Sequence, residues 1–261
     1  DPMIYLGTSG YSFRDWVGPF YPPGTRSVDM LTHYARSFSA VEINATYYRV
    51  PPLRIFARMA ERTPPGFRFT VKLPAAATHE RVRDPAVFDA FLAAVAPLES
   101  AGKLHGLLAQ FPYSFRPGAE SYAHLQFLRA TLLDRPLFAE FRHESWARSA
   151  TFALLESLGA GFCAVDEPRL PGLFPPVVRP TGPVGYVRLH GRNADAWWSG
   201  DGSSRYDYRY NDRELAAWAV AIRQLEAHSR DTFVFFNNCH AGHAAQNALT
   251  MAGLLEIPLP S

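Results

Sequence analysis

IYLGTSG, at residues 4–10, is the first of eight short apolar runs, and almost all of these runs end in charged or amide residues. The other seven are AVEINATYY (40–48), FRFTVKL (67–73), LHGLLAQF (104–111), LFAEFRH (137–143), GFCAVDEP (161–168), GYVRLHG (185–191) and TFVFFNN (232–238). Helix-like or loop segments separate them, and this alternation predicts parallel strands flanked by helices. Such strands build an α/β barrel whose functional residues gather at the carboxyl ends of the strands.

Between the runs, seven segments carry apolar residues at the three-and-four spacing of an amphipathic helix. They span residues 28–38, 52–63, 85–99, 121–133, 150–159, 213–228 and 245–255. Asp84 before Pro85, and Asp212, predict helix N-caps, whereas Gly102 and Gly159 predict helix ends.

The connection after the sixth run is different, because PRLPGLFPPVVRPTGP (168–183) contains six prolines. That number of prolines excludes a regular helix and predicts a covering loop. Long connections at 8–27, 74–84 and 191–211 also follow strands and are expected over the functional mouth. We therefore predict one (β/α)8 TIM-type barrel domain over residues 3–257, with a proline-rich loop replacing the helix after strand six.

Bulk composition is that of a globular protein, with 261 residues, 48% of them hydrophobic and 19% charged. The formal net charge of +2 is too small to imply a polyanionic partner by itself. Apolar stretches fall short of the ~18 residues that a membrane span needs, so no membrane partner is expected.

Cys163 and Cys239 both stand in or beside apolar runs and do not form a disulfide framework. The amino terminus lacks a signal-peptide pattern, so a reducing cytoplasm is the expected location. Met3 is expected to be the natural first residue, preceded by Asp1 and Pro2 as an added remnant.

The polar strand ends form the first candidate site, because alternation along a strand places every second side chain on one face. A barrel interior normally takes branched apolar residues, so buried charge there is costly unless it is paired. One interpretation is a structural ion network that only fixes side chains, and the other is a catalytic centre. The candidate acid–base residues are Glu42, Glu140, Asp166 and His190. The candidate ligand-binding residues at or near strand ends are Asn44, Lys72, His79, Gln110, Arg142, His143, Arg188, Asn237 and Asn238.

Aromatic residues interleaved with arginines form the second pattern. Trp197 and Trp198 precede YDYRY (206–210), where alternation would place Tyr206, Tyr208 and Tyr210 on one face. Flat rings beside guanidinium groups suit a planar anionic ligand such as a nucleotide or a single nucleic-acid strand. Tyr47, Trp197 and Tyr208 are therefore candidate ligand contacts. The alternative is that the rings only pack the loops onto the barrel.

The sequence motifs that usually mark several kinds of catalysis are absent from this chain. The chain contains no GxSxG, no P-loop and no GxGxxG motif. Retaining glycosidases of this barrel type place carboxylates after strands four and seven, where Gln110 and His190 stand here.

A divalent-metal site could draw on Glu140, Asp166, His143 and His190. Arg142 and Arg188 oppose a cation at that place, so no metal site and no cofactor are predicted, although a divalent metal stays an alternative. His240 and His243, in HAGH (240–243), are spaced for metal binding, but this pattern also fits a capping or surface role.

A resemblance to a known family rests on a set of segments that runs from residue 7 to about residue 248. They include GTSGYSFRDWVGPFYPPGT (7–25), FSAVEINATYYRVP (38–51), FRFTVKLP (67–74), GLLAQFPYSF (106–115), AEFRHESW (139–146), AVDEP (164–168), YVRLHGR (186–192) and FFNNCHAGHAAQNA (235–248). The chain resembles the YecE-like family, a domain of unknown function known as DUF72. Tyr11 and Tyr47 stand where that family often has tryptophan and phenylalanine.

The resemblance implies an α/β barrel similar in shape to metal-dependent endonucleases and sugar isomerases. The metal-ligand sets of those barrels are not matched here, so their activities are not carried over.

The leading hypothesis is an enzyme, a hydrolase or an isomerase, acting on an anionic, phosphate-bearing, nucleotide- or nucleic-acid-related substrate at the carboxyl rim. Glu42 or Glu140 would be the general base, with His190 or Asp166 as its partner, and Lys72, Arg142 and Arg188 would neutralise negative charge. The first alternative is a non-catalytic single-stranded nucleic-acid-binding protein. The second is a divalent-metal-dependent hydrolase.

Overall fold

The computed structural model describes residues 2–260, so the interpretation of Asp1 falls outside the described residues. Eight parallel strands form one sheet in the order β1-β8-β7-β6-β5-β4-β3-β2. They are β1 (Met3–Thr8), β2 (Ala40–Ile43), β3 (Arg68–Lys72), β4 (Leu104–Gln110), β5 (Leu137–Glu140), β6 (Gly161–Asp166), β7 (Val184–Leu189) and β8 (Asp231–Phe236). The prediction of an α/β fold with eight parallel strands is confirmed, and the strands form a nearly closed, TIM-like barrel.

The barrel is continuously paired between β1 and β8, whereas β1 and β2 are joined by little backbone pairing. Six residue pairs join β1 to β8, from Met3 with Asp231 to Thr8 with Phe236. Beyond the named strands, a single bridge pairs Ser9 with Glu42, where the Gly10 amide donates to the Glu42 carbonyl at 2.7 Å. The β1–β2 edge therefore needs additional support.

Tyr34 supplies that support from inside the seam. Its hydroxyl accepts a hydrogen bond from the Thr8 amide at 2.8 Å and donates one to the Ala40 carbonyl at 2.9 Å. A Cβ atom on Gly7 would lie 2.0 Å from the Ala40 oxygen and 2.8 Å from the Tyr34 hydroxyl, so only glycine fits there. One phenol thus replaces the ladder hydrogen bonds that the two strands cannot form directly.

Helices surround the strands, as their apolar periodicity predicts. They are α1 (Met30–Tyr34), α2 (Leu53–Glu61), α3 (Ala75–Thr78), α4 (Pro85–Ser100), α5 (Ala119–Leu132), α6 (Ser149–Leu158), α7 (Gly202–Arg205), α8 (Asp212–Glu226) and α9 (His243–Leu254). Short 3-10 turns lie at Arg14–Trp16, Ser27–Asp29, Ala45–Tyr47, Glu144–Trp146 and His240–Gly242.

The helix boundaries follow local chemistry. The Asp84 side chain caps α4 by accepting from the Ala86 amide, and Gly159 ends α6 in the left-handed conformation, as predicted. The prediction of Asp212 as an N-cap is wrong by one position. Asn211 caps α8 in a reciprocal capping box with Glu214, which satisfies two amides at once.

Residues 167–183, which connect β6 to β7, contain no helix. This proline-rich loop packs back onto the end of β5, where the Phe174 amide donates to the Arg142 carbonyl at 3.0 Å and Leu173 forms a bridge with His143. The expectation of a covering loop here is confirmed. None of the helices in residues 2–260 combines the length and apolar character that crossing a membrane requires.

Candidate functional site

A cavity of about 740 Å³ opens at the carboxyl ends of the strands, and we call it the rim pocket. Residues at or after the carboxyl ends of all eight strands contribute to its lining. Eight of the residues predicted to bind ligand line it: Asn44, Tyr47, Lys72, His79, Gln110, Arg142, Trp197 and Asn237.

The charge of the rim pocket is predominantly positive. Lys72, Arg142 and Arg205 line it, whereas Asp15 is the single acidic residue in the lining that the structure describes. The Asp15 carboxylate is partly engaged, because its Oδ2 accepts from the Ala241 amide at 2.7 Å. An anionic ligand would therefore meet a net attractive field.

Aromatic rings make up much of the remaining lining. They include Tyr47, Tyr48, Tyr113, Trp197, Trp198 and Tyr206. Tyr48 and Trp198 are 88% and 55% exposed, so two large rings stand open to solvent at the mouth. Such rings offer stacking surfaces to a planar group.

Glu42 lies at the end of the short strand β2 and is fully buried. Arg188 donates to its carboxylate from Nη2 at 2.6 Å and from Nε at 3.0 Å. Ser9 Oγ donates to Oε1 at 2.8 Å, and the Tyr186 hydroxyl donates to Oε2. Both carboxylate oxygens are therefore occupied by protein donors.

Glu140, at the end of β5, is also fully buried, and it accepts hydrogen bonds from two arginines and a histidine. It accepts from Arg188 Nη1 at 2.7 Å, from Arg142 Nε at 2.7 Å and from His190 Nε2 at 2.8 Å. Burial alone would raise the pKa of Glu140, but Arg188 and Arg142 outweigh it and hold the pKa well below its usual range.

His190 completes the network as a neutral imidazole. Burial and the Arg142 charge lower its pKa to about 3. Its Nε2–H donates to Glu140, and its Nδ1 accepts from the Asn237 amide at 2.9 Å. Both ring nitrogens are thus engaged. We call Glu42, Glu140, Arg142, Arg188 and His190 the floor network, of which only Arg142 lines the rim pocket.

Asp166 lies on the face of β6 that points away from the barrel interior. Val165 pairs with the inward-facing Arg188, so alternation turns Asp166 outward, toward α8. Its carboxylate accepts from Arg192, Arg169, the Tyr210 hydroxyl and Trp218 Nε1. Asp166 therefore fastens the loops after β6 and β7 and does not reach the rim pocket.

Glu167, which sequence reasoning missed, occupies the inward position beside the floor network. It is fully buried, and neither carboxylate oxygen has a hydrogen-bond partner among residues 2–260. Burial, together with Glu140 and Asp166, raises its pKa to about 8, although Arg142 opposes the rise. The available signal was the alternation of β6, which excludes Asp166 and Glu167 from the same face.

Lys72, at the end of β3, is half-buried and lines the rim pocket. Its Nζ lies 4.4 Å from the centroid of the Tyr47 ring and makes no ion pair within the described chain. Burial, Arg188 and Arg142 together lower the pKa of Lys72 to about 7, so both protonation states are populated near neutral pH.

His79 borders the same part of the rim pocket. It lies edge-on to Tyr47, with ring centroids 4.9 Å apart, and its Nδ1 is bonded to the Thr78 hydroxyl at 3.0 Å. Burial and the charges of Lys72, Arg142 and Arg81 lower its pKa to about 4, so it is neutral at physiological pH.

Two amide side chains in the lining retain unused hydrogen-bonding capacity. The Oδ1 of Asn44 is buried and has no partner in the part of the chain that the structure describes. Gln110 donates from Nε2 to the Phe111 carbonyl at 2.7 Å. Asn44 therefore presents an acceptor that a ligand could satisfy.

The remaining predicted ligand residues lie outside the lining. Arg188 is consumed by the floor network. The Nδ1 of His143 accepts from the Ser145 amide and caps a 3-10 turn. The Tyr208 hydroxyl donates to Glu214, and Asn238 donates to the Tyr208 carbonyl and to Asn247. The expectation that Tyr206, Tyr208 and Tyr210 share one face is wrong, because Tyr206 lines the pocket whereas Tyr210 is buried against Asp166.

A divalent metal would find its donors at Glu140, Glu167 and His190, whose ligand atoms lie within 4.8 Å of one another. Arg142 Nε lies 2.7 Å from Glu140 Oε1 and 3.5 Å from Glu167 Oε1. A guanidinium in reach of both carboxylates opposes a second cation there, so these residues fit a metal poorly. Asp166 and His143, which the sequence also suggested for a metal, point elsewhere.

Comparison with known proteins yields a family match and close relatives. The family model described as "Protein of unknown function DUF72" matches residues 5–260. The UPF0759 protein YunF of Bacillus subtilis (strain 168) is 35% identical over 272 aligned residues, which cover 98% of this chain and 95% of that protein. The UPF0759 protein YecE of Escherichia coli (strain K12) is 34% identical over 118 residues, covering 44% of this chain and 40% of YecE.

A solved structure agrees over nearly the whole length. The crystal structure of a DUF72 family protein (TM1631) from Thermotoga maritima MSB8 superposes with a TM-score of 0.91 at 40% sequence identity, covering 97% of this chain and 99% of that chain. This similarity supports the barrel fold and the family relationship. The description of the matched family names no substrate.

Proposed function

The chain belongs to the DUF72 family, also named UPF0759, and from that premise we propose that it is an enzyme acting on an anionic, phosphate-bearing, nucleotide-related substrate in the rim pocket. The observation that carries this proposal is that Lys72 and Arg142 face the cavity while the carboxylates behind them are occupied. The lining therefore offers cationic donors that protein acceptors do not fully engage, because Lys72 makes no ion pair within the described residues and Arg142 uses its Nε, but not its Nη1, to bond Glu140.

Arg142 is the anion-binding group in the proposal. Its Nε is fixed by Glu140, whereas its Nη1 has no hydrogen-bond partner among the described residues and remains available at the cavity. A guanidinium held by a buried carboxylate is preorganised, so little conformational entropy is lost when it binds phosphate oxygens. Arg205, whose guanidinium carbon lies 5.6 Å from the centroid of the Trp197 ring, is the second arginine of the lining.

Lys72 takes the proton-transfer role that the sequence suggested for Glu42, Glu140, Asp166 and His190. A group that titrates near pH 7 is suited to exchange protons at neutral pH. The other four are buried, fully hydrogen-bonded and outside the lining, so the proposal makes them positioning residues. The reaction class is acid–base catalysis, as in hydrolysis or isomerisation.

The binding experiment uses the tryptophans of the lining as reporters. Inorganic phosphate, a nucleoside monophosphate and the matching nucleoside are titrated while the fluorescence of Trp197 and Trp198 is followed. We expect the monophosphate to bind about tenfold or more tighter than the nucleoside, because a charge-assisted contact contributes about 1.5–3 kcal/mol. Arg205→Gln should weaken only the phosphate-bearing ligands. The matched control is Arg209→Gln, an exposed arginine of the same loop outside the lining.

Equal affinity for the nucleoside and the monophosphate would remove the proposal. The activity arm screens phosphodiesters and sugar phosphates. Lys72→Arg should retain phosphate binding and lose turnover, because arginine keeps the charge but does not release its proton.

The single-stranded nucleic-acid binder remains a second candidate, and the exposed rings of Tyr48 and Trp198 favour it. Unlike the enzyme proposed first, a nucleic-acid-binding protein would need phosphate contacts outside the rim pocket. The divalent-metal-dependent hydrolase has weaker support because of Arg142, and elemental analysis of protein purified without chelator checks it directly.

A further inference from the structure

Lysine is rare in this chain. It contains two lysines, Lys72 and Lys103, beside 24 arginines. Arginine and lysine differ chemically in one decisive way, because an amine can lose its proton and attack carbon whereas a guanidinium remains charged. A lysine in the pocket of a chain that otherwise uses arginine therefore draws attention to amine chemistry.

The two lysines have opposite environments. Lys103 Nζ donates to the carbonyls of Ala60 and Thr63 and to the Thr63 hydroxyl, all within 3.0 Å, and thereby stabilises the end of α2. Lys72 Nζ has no such acceptor in the described part of the chain and rests over the Tyr47 ring beside the cavity. Lys103 is a structural cation, and Lys72 is an accessible amine.

Two other nucleophiles of the lining, Cys239 and Ser9, are disabled by their contacts. Burial raises the pKa of the Cys239 thiol above its usual range, and Sγ donates to the Ser9 carbonyl at 3.3 Å. The Ser9 hydroxyl donates to the Glu42 carboxylate, which Arg188 and Tyr186 also occupy, so no free base is available to take its proton. Lys72 is left as the side chain best placed to attack an electrophilic carbon.

We propose that Lys72 forms a covalent imine with the carbonyl carbon of an anionic aldehyde or ketone bound in the rim pocket. This inference rests on the proposed function and specifies its substrate class as a phosphate-bearing carbonyl compound. Arg142 and Arg205 bind the anionic group, and the unpartnered Oδ1 of Asn44 accepts a hydrogen bond from a substrate hydroxyl.

The covalent step balances without an external oxidant or reductant. The lone pair of the neutral Lys72 amine forms the C–N bond while the carbonyl π pair moves to oxygen, giving a carbinolamine once a proton passes from nitrogen to oxygen through solvent. The C–O bond then breaks as the C=N bond forms. Both amine hydrogens leave with the oxygen as one water molecule. Protonation of the nitrogen yields the iminium, which withdraws electrons from the neighbouring carbon.

The electrostatics of the site favour this step. With a pKa of about 7, half of the Lys72 amines are neutral at pH 7. A lysine with the ordinary pKa of about 10.4 has on the order of one neutral amine in a few thousand at that pH. Burial and neighbouring cations are the two means by which enzymes activate imine-forming lysines, and Arg142 and Arg188 provide the cations here.

The test uses reductive trapping at one defined lysine. Wild-type protein is incubated at pH 7 with glyceraldehyde 3-phosphate and sodium cyanoborohydride, and the adducts on Lys72, Lys103 and the N-terminal amine are quantified by peptide mass spectrometry. Glyceraldehyde without phosphate provides the matched ligand, and Lys72→Arg provides the matched variant. Tryptophan fluorescence without reductant reports binding of the same compounds.

We expect the phosphorylated aldehyde to label Lys72 at least about tenfold faster than glyceraldehyde does, relative to the N-terminal amine, with half-maximal rate near pH 7. Lys103 should remain unlabelled, and Arg205→Gln should remove the preference for the phosphorylated compound. Lys72→Arg should bind inorganic phosphate and form no adduct at position 72.

Three results would overturn the inference, and they are distinguishable. Fluorescence changes with glyceraldehyde 3-phosphate but no adduct on Lys72 would eliminate the imine and leave the anion pocket standing. If neither a fluorescence change nor an adduct is observed, both the imine and the anion pocket are eliminated. Equal labelling by the phosphorylated and unphosphorylated aldehydes would also contradict a substrate-directed amine.

Discussion

The carboxylate of Glu42 has no contact with water, and all of its stabilisation comes from Arg188, Ser9 and Tyr186. The attraction between the buried charges offsets the cost of desolvating them only while both partners are present. A single buried residue therefore supports side chains from several strands, which is why the floor network belongs to the stability of the barrel as well as to the site.

Neutralising Glu42 should destabilise the protein strongly. Glu42→Gln leaves Arg188 with an uncompensated buried charge toward β2, and we expect a loss of about 3–5 kcal/mol in the free energy of unfolding. Urea denaturation followed by circular dichroism measures it. The control is Glu99→Gln, whose ion pair with Arg135 is 46% exposed on the glutamate side and should cost below about 1 kcal/mol. Similar losses in both variants would contradict the account.

Glu167 makes stability depend on pH. Its folded-state pKa of about 8 lies above the ordinary value of 4.5, so between these pH values the folded state holds a proton that the unfolded state has released. Its contribution to stability is therefore greatest below pH 4.5 and is lost as the pH rises toward 8. Glu167→Gln, which stays neutral, should raise the melting temperature relative to wild type at pH 9 more than at pH 6.

Thermal unfolding between pH 5 and pH 9 measures this difference, with about 2–4 °C expected for each 1 kcal/mol of relief. The matched control is Glu144→Gln, an exposed glutamate near the same rim. A variant curve parallel to wild type across the whole range would mean that Glu167 is ionised in the folded protein at neutral pH.

At the scale of elements, alternation along a strand determines which polar residue enters the barrel, and a shift of one position reverses the outcome. Asp166 and Glu167 are adjacent, yet the first fastens two loops outside the barrel and the second lies inside beside Glu140. The sequence identified the correct strand end but not the correct residue, because both carboxylates satisfy the same polar pattern.

The β1–β2 seam is the element-scale weak point, and Tyr34 is its support. Tyr34→Phe removes the partner of the Thr8 amide and of the Ala40 carbonyl, both buried, so we expect a loss of about 1–3 kcal/mol in unfolding free energy. Hydrogen exchange should accelerate at the Thr8 amide and much less at the β7–β8 pairing. Tyr48→Phe, on an 88% exposed ring, is the control and should leave stability unchanged. Unaltered exchange at Thr8 would show that the seam closes without the phenol.

At the scale of the whole molecule, the net charge of +2 does not reveal where the charge acts. Lys72, Arg142 and Arg205 converge on one cavity, and of these three Arg142 is also paired with the buried Glu140. This concentration suits a small anion better than a long polyanion, because a strand of nucleic acid needs a continuous positive track.

Salt dependence distinguishes these two ligands. Three cations in the rim pocket should give single-stranded oligonucleotide binding a logarithmic salt slope no steeper than about −2. Fluorescence titrations of a twelve-nucleotide strand at several salt concentrations measure the slope, and Arg209→Gln should leave it unchanged. A slope of about −4 would indicate phosphate contacts outside the cavity and would favour the nucleic-acid-binding alternative.

Local pattern was sufficient for most of the fold. Eight apolar runs, seven helical segments and one proline-rich connection specify the alternation of strands and helices, because periodicity and proline chemistry act within a few residues. The polar strand ends likewise identified six residues of the pocket lining, since parallel strands bring their carboxyl ends to one rim, and the aromatic pattern added Tyr47 and Trp197.

Tertiary structure alone determines which side chains of the site pair with one another and which remain available to a ligand. Glu42 and Arg188 are separated by 146 positions, and only the folded barrel shows that Arg188 bonds both Glu42 and Glu140 while Lys72 makes no ion pair among the described residues. The sequence determined which residues arrive at the rim. Which of them are consumed by pairing, and which remain available to a ligand, depends on distances between strands that are remote in the chain and adjacent in the barrel.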